Sequence, residues 1–247
     1  MKITFLGTGH GFSEKNKFCS SAAVTVGNRH YLIDAGAPIM TLLQNHDMSF
    51  WDVGGIFITH THGDHMLGLV DFTQQMEVFP HFKGVRIPVF VPDAERYMDL
   101  NQFLFGKREL PSHRVIYRVY HPNGVIFDDG TVRITAIVNQ HTACSRSFLV
   151  EAEGKKVLFT GDLKHDIPDY PTVATEQELD LIVMEGAHTR LNKPEVMEKL
   201  KASRTRAMIV QHRYDKYNTD EMVEEFRRLA ADKFTVTCAR DNDVFYV

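Results

Sequence analysis

Three histidines and an aspartate fall within six residues, His60-Thr61-His62-Gly63-Asp64-His65, directly after the apolar run Ile56-Phe57-Ile58. In an extended chain, side chains two apart point the same way about 7 Å apart. His60 and His62 can therefore converge on one cation at the about 2.0–2.1 Å of an imidazole–metal bond. Gly63 permits a sharp turn, which would leave Asp64 and His65 in the first turn of a helix, displaced enough to serve a second ion. The plainer alternative is a polar loop whose imidazoles bond to backbone. If the hexapeptide supplies only part of two coordination shells, the remaining donors must come from later strand ends. His141 follows the strand Thr131 to Val138, Asp162 follows Val157-Leu158-Phe159-Thr160-Gly161, and His212 follows Met208-Ile209-Val210-Gln211. Singly, each reads as an ordinary loop residue; together, at matching positions, they read as a ligand set. Nitrogen and carboxylate donors without thiolate suit zinc, with manganese or iron as alternatives.

The elements that must position these groups are short. Ile3 to Leu6, Ser21 to Val26 and His30 to Ile33 read as strands, the last two joined by the hairpin signal Gly27-Asn28,. Pro38 to His46 carries helical spacing begun by a proline. Pro88 to Val91 reads as a strand and Asp93 to Phe105 as a capped helix. Arg114 to Tyr120 and Thr131 to Val138 follow as strands, with turn chemistry at Pro122-Asn123-Gly124 and Asp128-Asp129-Gly130,. Ser147 to Ala152, Val157 to Thr160, Leu181 to Met184, Met208 to Val210, Phe234 to Cys238 and Val244 to Val247 continue the strands. Helices are expected at Pro194 to Ala202 and Thr219 to Ala231. Many strands with interspersed helices imply sheets packed face to face with helices outside.

Length and charge narrow the function classes. A chain of 247 residues, 43% hydrophobic, can bury one sizeable core, and a single domain spanning 1–247 is expected,. Lys and Arg number 28 against 32 Asp and Glu, a formal charge of −4, which argues against a general polyanion-binding surface,. Cys19, Cys144 and Cys238 fit neither a disulfide framework nor a zinc ribbon, and no run approaches the about 18 apolar residues of a membrane span. A cytoplasmic protein is the expectation. The apolar groups Phe72, Met76, Val78, Phe79 and Met98, Leu100, Phe103-Leu104-Phe105 read mainly as core, with the last three also suiting a lid or a homodimer face,.

The hexapeptide resembles the HxHxDH signature of the metallo-β-lactamase superfamily, and His141, Asp162 and His212 match its later ligand positions from Ile3 to about Tyr217. The resemblance implies an α/β fold, a four-layer αββα sandwich, with a dinuclear site, usually zinc, at one edge. It assigns His60, His62 and His141 to a first metal, Asp64, His65 and His212 to a second, and Asp162 to a bridge. The redox diiron branch typically has Glu where this chain has His62, so hydrolysis is favoured over oxygen chemistry. Two dications about 3.5–4 Å apart would lower the pKa of a shared water toward about 7, giving a metal-bridging hydroxide as nucleophile. Asp64 could orient or deprotonate that water as well as bind metal.

Within the superfamily, Ile3-Thr4-Phe5-Leu6-Gly7-Thr8-Gly9, Cys19-Ser20-Ser21 and Leu32-Ile33-Asp34-Ala35-Gly36 are similar to segments of the ribonuclease Z and phosphodiesterase branch. A phosphodiester is thus the leading substrate, with a lactone, thioester, β-lactam or sulfate ester as alternatives and a non-catalytic ligand-binding member as a third reading. The tRNA-processing enzymes of that branch carry a long arm between the positions of His141 and Asp162, here only 21 residues apart. A small molecule or short nucleotide is expected rather than a long RNA. Those enzymes also carry His-Glu-Ala-Thr where this chain reads Met184-Glu185-Gly186-Ala187. His188 is then a candidate leaving-group acid and Glu185 a candidate for orienting it. His10, in the loop after Thr8-Gly9, faces the metal edge if the first strand runs as expected, and both it and His188 also read as plain loop histidines; Arg213 reads as a phosphate partner or a surface cation, and Cys144 as packing.

Overall fold

The computed structural model describes residues 1–79, 82, 84–106, 115–120 and 123–247. Strands β2 (Ser21–Val26) and β3 (Arg29–Ile33) form an antiparallel hairpin, with Gly27 at the positive φ of 57° that the two-residue turn needs,. Strand β1 (Lys2–Gly7) pairs with β2 on one side and with β14 (Val244–Tyr246) on the other. Beyond β3 the pairing turns parallel through β4 (Val53–Phe57), β5 (Ile87–Val91) and β6 (Val115–Val119), giving a seven-stranded sheet. The second seven-stranded sheet runs from β7 (Gly124–Asp128), β8 (Val132–Val138), β9 (Arg146–Ala152) and β10 (Lys155–Phe159) to β11 (Leu181–Gly186), β12 (Ala207–Arg213) and β13 (Thr235–Cys238). Its last four strands are parallel.

Three apolar layers separate four layers of structure, as the αββα expectation required. Ile3, Phe5, Phe57, Phe90, Phe148 and Phe159 fill the space between the sheets. Ile39, Leu42, Leu69 and Phe72 from α1 (Ile39–Asn45) and α2 (Gly63–Val78) cover the outer face of the first sheet, and Tyr97 of α3 (Ala94–Phe105) joins them. Val196 and Leu200 of α5 (Pro194–Lys201) and Val223 and Phe226 of α6 (Asp220–Ala230) cover the second. A short α4 (Val173–Glu176) adds Val173 and Ala174 to that layer. Each such buried side chain contributes about 1.5–3 kcal/mol relative to exposure. Asp93 and Thr219 cap α3 and α6 by accepting the backbone N–H groups of Arg96 and Met222, and Gly106 ends α3 at φ 68°,.

Strand β7 was not expected from the sequence, nor were α4 and the 3₁₀ turn Phe50–Asp52. Arg114, His113, Pro122, His81 and His121 lie outside the described residues, as do the side chains of Leu104 and Phe105. Phe72 and Met76 are core residues as expected, whereas Phe103 is 84% exposed. Among the described residues no helix is long and apolar enough to cross a membrane.

Parallel β4, β10, β11 and β12 end at the same edge of the sandwich. His60 and Asp162 follow β4 and β10, and Glu185 and His212 lie in the last residues of β11 and β12, so the chemistry collects at the carboxyl ends of the strands,.

Candidate metal centre

His62 caps the start of α2, placing Asp64 and His65 in its first turn as the spacing predicts. Two groups of donors result. Ligand atoms of His60, His62, His141 and Asp162 lie within 4.8 Å of one another, and so do those of Asp64, His65 and His212. Asp162 stands between the groups. Its Oδ2 is 3.7 Å from His60 Nε2 and 3.6 Å from His141 Nε2. Its Oδ1 is 3.4 Å from His65 Nε2 and 3.2 Å from His212 Nε2. One carboxylate therefore turns an oxygen to each set of imidazoles.

The imidazoles are oriented from behind. His65 Nδ1 donates to Asp34 Oδ2 at 2.7 Å. Asp34 also accepts from the backbone N–H of Thr59 at 2.7 Å and from its hydroxyl at 2.9 and 3.0 Å. The Thr59 oxygen in turn lies 3.1 Å from His60 Nδ1. His212 Nδ1 donates to the Gly9 carbonyl at 2.9 Å. Each of these rings thus spends Nδ1 on the protein and leaves Nε2 for the centre. The buried Nε2 atoms of His60, His65 and His212 and Oδ1 of Asp162 have no hydrogen-bond partner among the described residues. Buried polar atoms left this way are costly unless a partner arrives, and two divalent cations, one at each donor group, would satisfy all four. The donor set fits such ions.

Charge points the same way. Burial pushes His60 well below the usual imidazole range, and the neighbouring His65 pushes it further. Burial works against the His65 cation too, yet Asp162 and Asp34 overcome it and hold this ring well above its ordinary value. Asp162 lies well below the carboxylate range, because His212 and His65 outweigh the burial that opposes its charge. His65 sits 2.7 to 3.5 Å from the carboxylates of Asp34, Asp64 and Asp162. Three carboxylates within 3.5 Å of the one His65 ring make a negative surplus that bound cations would neutralise,.

Backbone detail completes the frame. Strand β12 carries one residue more than β11 at its end: Glu185 pairs with Gln211 and Gly186 with Arg213, leaving His212 as the bulged residue at φ 51°,. Gly161, at φ 57°, precedes Asp162, and a Cβ there would stand 2.7 Å from the Arg146 carbonyl oxygen,. Asp241 closes the neck of the loop between β1 and β2. It accepts from Thr8 N at 2.8 Å, Thr8 Oγ1 at 2.6 Å and Phe18 N at 2.6 Å, so the loop bearing Gly9 is held against His212.

A cleft of about 330 Å³ opens over the centre. His62, Asp64, Asp162 and His212 form its floor, and His10, Phe12, His165, His188, Tyr214 and Tyr217 belong to its walls. His188 Nδ1 lies 3.6 Å from both Asp162 Oδ2 and Glu185 Oε2. Burial disfavours the His188 cation, but the Glu185 carboxylate raises its pKa. Glu185 is fully buried and absent from the cleft's lining; it accepts the backbone N–H groups of Ala187 at 2.7 Å and His188 at 2.8 Å. It fixes the turn rather than facing a ligand. Arg213 is tied to Asp215 and Asp220 at 2.8 and 2.6 Å, a surface ion pair and not a phosphate partner. Cys144 meets Thr61 and Thr142 and belongs to neither donor group. Sequence reasoning gave no role to Asp34, Phe12, His165 or Tyr214. For Asp34 a signal existed, an acid closing an apolar strand just before Ala35-Gly36.

A family model described as anti-Pycsar protein Apyc1 matches residues 1–235. Ribonuclease Z of Methanocaldococcus jannaschii is 29% identical over 150 residues, covering 60% of this chain and 47% of that one. The chain spans about half to two thirds of the length of the ribonuclease Z relatives it matches. The metallo-β-lactamase fold protein YhfI from Bacillus subtilis superposes with a TM-score of 0.78 at 18% identity, covering 99% of both chains. Human tRNase Z, short form, superposes with a TM-score of 0.74 at 21% identity, covering 100% of this chain and 99% of that one.

Proposed function

The chain belongs to the anti-Pycsar protein Apyc1 family, in the ribonuclease Z and phosphodiesterase branch of the metallo-β-lactamase superfamily, and from that premise we propose that it is a dinuclear, metal-dependent phosphodiesterase acting as one domain in the cytoplasm. The observation that carries this reading is the split of Asp162, one oxygen toward His60 and His141 and the other toward His65 and His212. We assign His60, His62 and His141 to one ion, Asp64, His65 and His212 to the other, and Asp162 to both, with zinc the leading candidate because every donor is imidazole or carboxylate. The three free cysteines agree with a reducing compartment,.

Bound divalent ions supply a nucleophile from water at neutral pH and stabilise charge on the phosphoryl oxygens. The chain's own groups do the rest. Asp34, Thr59 and Gly9 keep the Nε2 atoms of His65, His60 and His212 free and aimed inward. Asp64, in the floor of the cleft, is held below the usual carboxylate range: burial favours its neutral form, but the hydrogen bond from His65 prevails. It keeps its charge, able to bind a cation and to orient a water by accepting its hydrogen bond. His188, raised by Glu185 and opening on the cleft, can carry a proton at its ring to the departing oxygen,. Glu185 serves as its positioning residue.

Cleft size favours a small ester. About 330 Å³ lies at the lower end of the roughly 300–1,000 Å³ of ligand pockets,. Metal-reconstituted protein should contain about two divalent ions per chain and cleave bis(p-nitrophenyl) phosphate faster than a lactone, thioester, β-lactam or sulfate ester. Metal-loaded protein inert to every phosphodiester, or faster on another ester class, overturns the reading.

A further inference from the structure

Two buried side chains shape the turn that carries His188, and only one of them, Glu185, has a part in the reaction so far. Glu185 takes the N–H groups of Ala187 and His188 on one oxygen and the Thr189 hydroxyl on the other. The second is Asn218, fully buried and distant in sequence. Its Nδ2 donates to the Gly186 carbonyl at 2.7 Å and to the Thr189 carbonyl at 2.6 Å, and its Oδ1 accepts the Leu191 N–H at 3.0 Å. These partners stand on both sides of His188, whose own carbonyl accepts from His165 Nδ1 at 3.2 Å. Only an amide meets that demand: aspartate would set an oxygen against two carbonyls, and an apolar side chain would strand three buried polar groups. Asn218 is itself fixed. Its N–H donates to the Tyr214 carbonyl at 3.0 Å, and it precedes Thr219, the cap of α6, whose Val223 and Phe226 lie in the apolar layer. The His188 turn is therefore hung on the segment that leaves His212 and on the helix behind it. His188 Nδ1, buried and without a hydrogen-bond partner among the described residues, is thereby held 3.6 Å from Asp162 Oδ2.

We propose that Asn218 is a positioning residue for His188: by pinning the turn on both sides it keeps the imidazole over the floor of the cleft, and so sets how fast esters with basic leaving groups are cleaved. The assignment rests on the phosphodiesterase reading. In that reaction water gives its hydroxyl to phosphorus, and the bond to the departing oxygen breaks with its electron pair on that oxygen. The ring proton of His188 follows, an alcohol leaves, and the proton lost by the water returns to the ring through solvent. A weakly basic oxygen departs without this help, whereas a strongly basic one needs it. A turn free to drift by an ångström would lose the second kind of substrate first.

Two diesters of similar shape test this on zinc-loaded protein: bis(p-nitrophenyl) phosphate, whose nitrophenolate leaves unaided, and diphenyl phosphate, whose more basic phenolate needs the proton. Asn218→Ala should lower kcat for diphenyl phosphate by about 10–100-fold more than for bis(p-nitrophenyl) phosphate. KM for each and the ion count should stay near their wild-type values. His188→Gln should discriminate in the same sense, and the double variant should be no worse than His188→Gln alone, because the two residues act as one unit. The discrimination is a ratio within one preparation, so a partly folded sample does not mimic it. If the alanine variant fails to fold, Asn218→Ser, which admits water to the freed carbonyls, carries the same comparison. Equal losses on the two diesters, loss of metal in step with activity, or losses that multiply in the double variant overturn the proposal. Amide exchange over residues 186–191, read by mass spectrometry, needs no turnover and should be faster by about tenfold or more in Asn218→Ala. A wild type that cleaves neither diester would refute the phosphodiesterase reading, while faster exchange in the variant would keep Asn218 as the anchor of the turn. Hydrolysis of both diesters without discrimination in the variant would do the reverse.

Discussion

The floor and the wall of the cleft are built on opposite plans. At the floor Asp162 and His212 are buried, Asp64 is half-buried and His62 exposed, and Asp34, Thr59 and Gly9 fix the imidazoles of His65, His60 and His212 from behind. Wall residues His10, Phe12, His188, Tyr214 and Tyr217 reach solvent to varying degrees and lean on one another through rings. A metal site requires donors fixed within tenths of an ångström, whereas packed rings tolerate sliding. The same cleft thus joins a region where geometry is over-determined to one where contact area is what counts.

Substitutions should expose that contrast as a graded series in metal content and turnover. Asp162→Ala removes the carboxylate facing both imidazole sets, and should cost more than the about 10–100-fold that follows loss of an outer partner; elemental analysis should find fewer than two ions, and full occupancy would break the contrast at its centre. Asp34→Asn keeps the shape but weakens the acceptor behind His65, so metal affinity should fall by about 10–100-fold in competition with a chelator. Asp241→Asn acts further back, through Thr8, Phe18 and the Gly9 carbonyl. A severalfold loss is expected, at the end of the outer-partner range nearest unity, and release of one ion before the other would sharpen the assignment to the His212 group. Smallest of all, Phe12→Ala should leave the ion count at its wild-type value; loss of metal would show that wall and floor are not separable. Saturating metal at 100 times its Kd should stabilise the wild type by about 2.7 kcal/mol in thermal unfolding, an increment Asp162→Ala should largely lose.

Much of the floor was legible because its donors sit where strands stop. The hexapeptide follows an apolar run, and Asp162 and His212 each close one. Asp34 showed only as an acid closing an apolar strand; its role depends on β4 lying beside β3 and bringing Thr59 within 2.7 Å, a partnership the local pattern does not specify. Glu185 and His188 were legible as a pair, but their roles came from backbone N–H groups folding onto the carboxylate. Strand β7 escaped because five residues between two turn signals, none of them fully buried, carry little alternation,. The wall was invisible for a different reason. Phe12 and Tyr214 are some two hundred residues apart in sequence, and an isolated aromatic in a loop has no period to betray it,.

The extra residue at the end of β12 has a consequence for how this chain can change. Met208 and Val210 face the helix layer and Ile209 the space between the sheets, so simple two-residue parity would send His212 toward the helices with Met208 and Val210. The odd residue resets that count, and Tyr214 inherits the new phase two positions later. Removing a single codon between Ala207 and Gln211 would therefore exchange donor and cation, delivering Arg213 where the imidazole belongs. Point substitutions here erode the site by degrees, but a one-residue shift of frame along the strand abolishes it at a stroke.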